Sequence, residues 1–301
     1  EKSLMNPIIM HINYCELTGG KFGKSVDDVC RKAAEWGYDG IEFRAKVPED
    51  LHCSDAEYID AIAAGKAKYG IKHILFGRRA AGVSSNDAEE RAAGIKDTIA
   101  FFRMVYDKLG VTVCNTFGDN IFNPDKSIPG YDYDRHGSAV ATEAQWNNTA
   151  ESFRKIGDAI VPLGMRIGFE THMNYIHDVP EAAARLVRMV DSPAVGVNMD
   201  YGNTVYFAKY PCIEEAIRLY GDKLFYIHLK NSVGIRDSGR YPVALSEGEI
   251  NHRLYLGELV KAGYTGPIGI EAPRGGDREW FARQDLQYFK TLAKEAGLNR
   301  G

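Results

Sequence analysis

Short apolar runs alternate with amphipathic stretches along the whole chain, and this alternation limits the possible folds more than any other feature of the sequence. The runs with strand character are 8–13, 39–43, 71–76, 111–116, 165–170, 194–200, 223–229 and 267–271. The intervening helical patterns cover 25–36, 55–69, 86–109, 142–163, 179–191, 211–221, 250–262 and 278–296. Strands that each precede a helix favour a closed parallel barrel over an open sheet. We therefore predict an α/β protein whose 301 residues form a single (βα)8 TIM barrel domain, preceded by a tail at 1–7.

The connections between these elements differ in length at the two ends of the predicted barrel. Helix-to-strand links are short and carry glycine, as in WGYDG at 36–40 and AGYTG at 262–266. Strand-to-helix links are long, above all at 118–141 and 230–249. Long loops gathered at one end are typical of a barrel with a single active face.

Composition excludes several classes of protein. The net charge of −4 argues against a nucleic-acid-binding protein, because phosphate neutralisation needs a basic face. The five cysteines are scattered and form no CxxC pair, which indicates reduced thiols. No apolar run approaches the ~18 residues of a membrane span, and no signal peptide is recognisable. We expect a cytoplasmic protein that binds neither nucleic acid nor membranes.

Four polar residues end apolar strand runs in the second half of the chain: Glu170, Asp200, His228 and Glu271. The strands that carry them are separated by roughly one βα unit of about 30 residues, with a longer step before the last. Parallel barrel strands direct their carboxyl ends to one face, so these side chains should converge. Three carboxylates and one imidazole suit one divalent ion, with Mn favoured and Mg, Co or Fe as alternatives. The competing interpretation is four unrelated polar strand ends.

Further candidate residues surround these four. His172 follows Glu170 at a spacing of two, and Lys230 follows His228 in the same way, so each points to the same side as its ligand if the strand continues. We predict that both bind substrate, although a role behind the ligands or at the surface is also open.

Asn203 and Glu42 are weaker candidates for substrate binding. Asn203 lies three residues past Asp200 and either contacts substrate or caps a turn. Glu42 ends the second strand and alternates with apolar neighbours, which directs it and Arg44 towards the barrel mouth. A structural Glu–Arg pair is the alternative there.

His136 is the candidate general base. It lies in the long 118–141 loop, just ahead of the fourth helix, where a neutral imidazole can act as a mobile proton acceptor. An exposed loop histidine without a role is the competing interpretation.

The predicted site has a definite chemistry. A cation with open coordination positions binds neighbouring oxygens of a polyol, polarises a carbonyl and stabilises the enolate formed by proton removal. Glu170 and Glu271, flanking such an ion, can exchange protons on opposite faces of a keto sugar. The residues alone do not choose between isomerisation, epimerisation and elimination. A non-catalytic sugar-binding barrel predicts a broken ligand set, whereas all four positions here carry competent ligands.

The strand-end sequences GFETH, NMDYGN, YIHLKN and GIEAPRGGD, with GYDGIEF near the start, resemble the xylose-isomerase-like sugar isomerase/epimerase superfamily. This resemblance covers nearly the whole chain and implies a barrel with a metal at Glu170, Asp200, His228 and Glu271. In the ketose 3-epimerases of that group, the residues matching Glu170 and Glu271 are the acid/base pair. The chain departs from the epimerase pattern at Asn203, where those enzymes carry histidine. It also has Lys230 near the metal histidine, and Arg236 is not aligned with their substrate-binding arginine.

A second set of motifs is similar to the large subunit of bacterial C-glycoside deglycosidases: MNPIIMHINYCE, INHRLYL and EAPRGGDREWFA. The resemblance implies a lyase that cleaves 3-oxo-glycosides by elimination, with His136 as base and a small β-rich partner subunit in an oligomeric complex. We take this lyase as the specific prediction and a sugar isomerase or epimerase as the alternative.

Overall fold

The structure is a computed structural model that describes residues 6–15, 25–45, 53–235, 239–272 and 274–296. Most of the predicted tail 1–7 and Arg236 lie outside the described residues. Within the described ranges no helix is long and apolar enough to span a membrane.

Ten strands are present in the described part of the chain. Their bounds are β1 Ile8–His11, β2 Gly40–Arg44, β3 His73–Arg79, β4 Val113–Phe117, β5 Arg166–Glu170, β6 Val195–Asp200, β7 Leu224–Leu229, β8 Ser232–Ile235, β9 Gly239–Pro242 and β10 Ile268–Ile270. Eight of them close into a parallel barrel in the order β1-β10-β7-β6-β5-β4-β3-β2, whereas β8 and β9 pair separately. The predicted (βα)8 barrel is confirmed.

The helices alternate with the barrel strands. They are α1 Val26–Trp36, α2 Asp55–Tyr69, α3 Ala88–Leu109, α4 Glu143–Ile160, α5 Pro180–Val190, α6 Tyr201–Thr204, α7 Ile213–Tyr220, α8 His252–Lys261 and α9 Arg278–Glu295. Every predicted helical segment contains one of these helices, with ends shifted by up to three residues. The single turn α6, directly after β6, was not predicted.

The chain forms two compact parts. The first comprises 1–77, 105–111 and 228–301, and contains α1, α2, α8, α9 and strands β1, β2 and β8 to β10. The second comprises 78–104 and 112–227, and contains most of α3 together with α4 to α7 and strands β4 to β6. The boundaries cut strands β3 and β7 of the barrel sheet.

Alternation along the strands separates the helix-facing residues from the barrel interior. In β2, the Phe43 ring packs against Tyr58 of α2 and Phe76 of β3, with ring centroids 6.2 and 6.1 Å apart. Glu42 lies between the buried residues Ile41 and Phe43 and therefore points the other way. In the second part, Phe153 of α4 packs on Phe169 of β5 at 4.5 Å. The apolar layer therefore lies between sheet and helices, and polar side chains are directed inward.

Local sequence signals fix many helix ends. Ser54 caps α2 in a capping box with Glu57, and Asp277 caps α9 by accepting from the Trp280 N–H at 3.0 Å. Gly70 ends α2 in the left-handed conformation with φ 68°. Asp178, in contrast, does not cap α5: it accepts from the backbone of Ser138 at 3.1 Å, and Val179 is the N-cap residue.

Two departures from the predicted strands affect the active face. The first strand ends at His11, because residues 12–14 turn into a 3-10 helix. The predicted loop 230–249 contains the antiparallel pair β8–β9, with Val233 opposite Tyr241. Asn231 anchors this insertion: its amide donates to the carbonyls of Leu245 and Ile250 at 2.9 and 3.0 Å.

Candidate metal centre

The four strand-end residues converge. Glu170 and Asp200 are the last residues of β5 and β6, His228 is the penultimate residue of β7, and Glu271 directly follows β10. One ligand atom from each lies within 4.8 Å of the others, and all four side chains are buried. The cluster can therefore bind a metal ion. The assignment of each residue as a ligand stays a prediction.

In the first part of the chain, Glu271 connects several of the site residues. Its backbone N–H donates to the carbonyl of Leu229 at 3.0 Å, which fixes it beside β7. Oε2 lies 3.0 Å from His228 Nδ1 and 3.2 Å from Lys230 Nζ. Oε1 accepts from the amide of Asn13 at 2.8 Å.

The electrostatic surroundings of Glu271 favour its ionised form. Burial opposes ionisation, but His11, Lys230 and His228 together outweigh it and hold the pKa of Glu271 well below its usual range. His11 Nε2 lies 3.7 Å from Glu271 Oε1, and its ring edge contacts His228 with centroids 5.4 Å apart. An anionic ligand is thus prepared before any ion binds.

In the second part, Glu170 and Asp200 are held by neutral polar groups. Glu170 Oε1 accepts from the Asn203 amide at 3.1 Å, and Oε2 accepts from the Asn115 amide at 2.5 Å. Asp200 Oδ1 accepts from the Asn203 backbone N–H at 3.0 Å. Thr171 both donates to the Asp200 carbonyl and accepts from its N–H, at 3.1 and 2.9 Å. These contacts orient both carboxylates without adding positive charge.

The donor set fits a divalent cation on geometric grounds. His228 Nε2 lies 2.6 Å from Glu42, and its Nδ1 lies 3.0 Å from Glu271 Oε2. If Nε2 carries the ring proton, Nδ1 and Oε2 are two acceptors in contact, which requires a proton or a cation between them. Three buried carboxylates this close also need a compensating positive charge. Oxygen and imidazole ligands suit Mn, Mg, Co or Fe.

Three predicted substrate-binding residues, Lys230, His172 and Asn203, lie in different environments. Lys230 lies beside Glu271 with about a fifth of its side chain exposed, so it borders the site. His172 is half-buried against the rings of Phe117 and Tyr175, and its Nδ1 lies 3.1 Å from the Met173 carbonyl. Asn203 is buried and directs its amide to Glu170 and the Thr171 carbonyl. Direct contact of these three with substrate stays a prediction.

Glu42 lies deeper in the barrel than expected, and its contact with substrate stays a prediction. Alternation along the strand directed it to the mouth of the barrel as a substrate contact, but its side chain has no exposed surface. It lies instead against His228, with Oε2 2.6 Å from Nε2. Its neighbour Arg44, at the end of β2, is the exposed residue.

His136 also differs from expectation. The ring is only 2% exposed, so the competing interpretation of an exposed loop histidine is wrong. Nδ1 accepts from the Asn123 N–H at 2.9 Å, and Nε2 lies 2.9 Å from the Pro129 carbonyl, to which it can donate. Phe122 packs on the ring with centroids 5.4 Å apart. Both nitrogens are therefore used to hold the 118–141 loop, and the role of base stays an untested prediction.

Sequence reasoning missed two residues that support Glu170. Asn115 stands inside the apolar strand β4, where a polar side chain is a signal of an inward contact. His177 donates from Nδ1 to the Glu170 carbonyl at 2.6 Å and accepts the Gly118 N–H at Nε2. Burial lowers the pKa of His177 to about 4, so its ring is neutral at physiological pH.

Comparison with known families agrees with this geometry. The family model described as xylose isomerase-like TIM barrel matches residues 30–292. The chain belongs to this family. The predicted superfamily is thereby confirmed, whereas the likeness to C-glycoside deglycosidases is not shown.

Two curated relatives of this family member are dehydratases. A 3-dehydroshikimate dehydratase of Pseudomonas putida is 28% identical over 146 residues, covering 45% of this chain and 22% of that protein. An inosose dehydratase of Clostridium botulinum is 28% identical over 170 residues, covering 50% of this chain and 56% of that protein. The matched segments thus span less than two thirds of these relatives.

Solved structures share the fold over nearly the full chain. A xylose isomerase-like TIM barrel protein from Mycobacterium smegmatis, in complex with magnesium, has a TM-score of 0.75 at 21% identity and covers 98% of this chain and 99% of its own. A D-allulose 3-epimerase from Methylomonas sp., in complex with D-allulose, has a TM-score of 0.73 at 18% identity. The match covers 96% of this chain and 97% of that one. A 3-keto-D-glucoside 4-epimerase from E. coli has a TM-score of 0.70 at 14% identity, and the match covers 95% of this chain and 99% of that one.

Proposed function

We propose that this protein is a divalent-metal-dependent enzyme that removes a proton next to the carbonyl of a keto sugar, and specifically that it cleaves 3-oxo-C-glycosides by β-elimination. The observation that carries the proposal is the buried cluster of Glu170, Asp200, His228 and Glu271, with ligand atoms within 4.8 Å of one another. A divalent cation bound there supplies Lewis-acid polarisation of a substrate carbonyl.

The chain's own residues supply the proton transfers. Glu170 ends β5, Glu271 directly follows β10, and the two are the proposed acid/base pair. One carboxylate takes the C2 proton beside the C3 carbonyl, the electron pair forms the C1–C2 double bond, and the C1–aglycone bond breaks. The departing aglycone takes a proton from a general acid in the site. Lys230, 3.2 Å from Glu271, is placed to hold the substrate oxygens.

The curated relatives favour elimination over epimerisation. The two curated relatives above are dehydratases, whose names denote loss of water from the substrate. Asn203 also stands where the resembling ketose 3-epimerases carry histidine. The 3-keto-glucoside epimerase of similar fold supports a 3-oxo sugar as the substrate class. A sugar isomerase or ketose 3-epimerase remains the second candidate, because the acid/base pair serves either reaction, and a non-catalytic sugar-binding barrel is the third.

The proposal includes a small β-rich partner subunit and an oligomeric assembly, both implied by the deglycosidase resemblance. Pull-down of a small partner protein with the tagged chain, followed by size-exclusion chromatography with light scattering, tests the assembly. A complex that raises aglycone release supports the proposal. A chain that is fully active alone removes the need for the partner subunit.

The decisive experiment follows proton exchange and product together. The protein loaded with Mn²⁺ is incubated in D₂O with a 3-oxo-C-glucoside and, separately, with fructose, tagatose and psicose. Exchange at the carbon next to the carbonyl with release of aglycone is the expected result. A new ketose from the free sugars, with the glucoside unchanged, favours the epimerase. Absence of exchange in every tube contradicts catalysis and favours the sugar-binding barrel.

A further inference from the structure

The contact between Glu42 and His228 is a fully enclosed polar contact beside the proposed metal centre. Glu42 Oε2 lies 2.6 Å from His228 Nε2, and neither side chain has any exposed surface. A carboxylate accepts hydrogen bonds and a neutral imidazole donates through only one nitrogen. A carboxylate oxygen and an imidazole nitrogen this close need a proton between them, and Nε2 supplies it.

The choice of nitrogen determines what the ring can bind. In the neutral ring, a proton on Nε2 leaves the lone pair of Nδ1 available to an ion, and Nδ1 is the atom that faces Glu271 Oε2 at 3.0 Å. With the opposite tautomer, the Nδ1–H would point into the cluster and exclude a cation. The carboxylate behind the ring also makes the imidazole a stronger electron donor.

His11 does not supply the same contact to His228. Its Nδ1 accepts from the Asn13 N–H at 3.1 Å, and its Nε2 lies 3.9 Å from Glu42 Oε1. His11 and Glu42 are opposite each other in the β1–β2 register, and the His11 ring packs edge-on against His228. His11 therefore limits tilting of the ring, while Glu42 determines which nitrogen carries the proton.

We infer that Glu42 is a positioning residue that selects Nδ1 of His228 as the metal-binding atom and strengthens its bond to the ion. The inference rests on the proposed metal-dependent function and extends it to a residue outside the ligand set. Carboxylates behind metal-binding histidines typically change metal affinity by about 10–100-fold when removed.

The test compares metal binding by Glu42→Gln, wild type and Asp119→Asn, using isothermal titration with MnCl₂ after chelator treatment. Asp119 is a matched control because it is a partly buried carboxylate that accepts from Gly82 and Ser84 and contacts no proposed ligand. We expect the Kd for Mn²⁺ to rise about 10–100-fold in Glu42→Gln and to stay within about twofold in Asp119→Asn. Circular dichroism of the metal-free proteins controls for folding.

A second measurement needs no variant. Nitrogen NMR of ¹⁵N-histidine-labelled wild type with Mg²⁺ should show His228 protonated at Nε2 and not at Nδ1. A ring protonated at Nδ1, or an unchanged Kd in Glu42→Gln, overturns the inference. A wild type that binds no divalent ion contradicts the proposed function itself, and this result is distinct from equal binding by wild type and Glu42→Gln.

Discussion

The side-chain amide of Asn203 donates to Glu170 Oε1 at 3.1 Å, which links two residues that end or follow neighbouring strands. The same residue donates its backbone N–H to Asp200 at 3.0 Å. One buried residue thus orients both proposed ligands of the second part of the chain, one through its side chain and the other through its backbone. A sequence position expected to contact substrate has, in the structure, a supporting role for the ligands.

Truncation of this amide should destabilise the fold. Asn203→Ala leaves the Thr171 carbonyl and one Glu170 oxygen without the amide donor in a buried environment, and we expect the free energy of unfolding to fall by about 1–3 kcal/mol. Urea denaturation measures the change. Asn148→Ala is the control, because that amide bonds to the Ser85 carbonyl in a partly exposed setting and Ala favours helix α4. Equal losses in the two variants would contradict the assignment.

Metal binding should stabilise the protein. At 100 times the Kd, a bound ion raises the free energy of unfolding by about 2.7 kcal/mol, and Tm rises with the MnCl₂ concentration. Asp200→Asn should lose this dependence, because a neutral amide replaces one of the carboxylates. Differential scanning calorimetry with and without chelator measures the effect. Asp60→Asn, which removes an exposed acid paired with Lys108, should respond like wild type. A metal-dependent Tm in Asp200→Asn argues against this cluster as the site.

His136→Gln separates the two roles considered for this histidine. Loss of the two ring contacts with Asn123 and Pro129 should lower the free energy of unfolding by about 1–3 kcal/mol, while proton exchange at the substrate falls by less than about tenfold. Parallel urea denaturation and D₂O exchange measure both quantities. A loss of exchange of about 10²-fold or more at unchanged stability restores His136 as the base.

The free energy of unfolding should depend on pH because His252 is buried. Burial lowers its pKa to about 4 from an ordinary value of 6.5, and its Nδ1 lies 3.0 Å from the Leu245 carbonyl. The folded state therefore holds the neutral ring. This contribution is present above pH 6.5 and is lost as pH falls towards 4.

The size of the effect follows from linkage. Between pH 6.5 and 4.5, His252 alone accounts for about 2 kcal/mol of lost stability, and His252→Gln should reduce the loss by that amount. Chemical denaturation at the two pH values measures the difference. His177 acts in the same direction, whereas Asp178, whose pKa burial raises to about 6, acts in the opposite direction. His73→Gln, at a more exposed ring, is the control, and an unchanged pH slope in His252→Gln would refute the prediction.

The sequence predicted the positions of Glu170, Asp200, His228 and Glu271 for a physical reason. Strands of a parallel barrel share one direction, so a polar residue at the end of each apolar run must lie on the same face. Glu170 and Asp200 therefore meet although helix α5 separates their strands. The barrel itself was predictable by the same periodicity.

The remaining contacts depend on register and on backbone groups, which a single sequence does not display. Glu42 was assigned to the mouth because alternation gives the side of a strand but not the depth along it. The burial of His136 was not predicted because its partners are backbone groups of Asn123 and Pro129, which no sequence pattern marks. The β8–β9 pair was missed because short polar strands carry little periodicity.

Asn231 makes the segment that follows β7, the strand that carries His228, a self-contained insertion. Its amide and carbonyl oxygen bond to Leu245, Ile250 and Ser232, so the chain leaves and rejoins the barrel at one closed point. Gly248 comes so close that a Cβ there would lie 2.2 Å from the Asn231 oxygen. Changes of length between these anchors should leave His228 in place. Evolution, or a protein engineer, can therefore exchange this segment while the strand-end residues of the barrel stay in place.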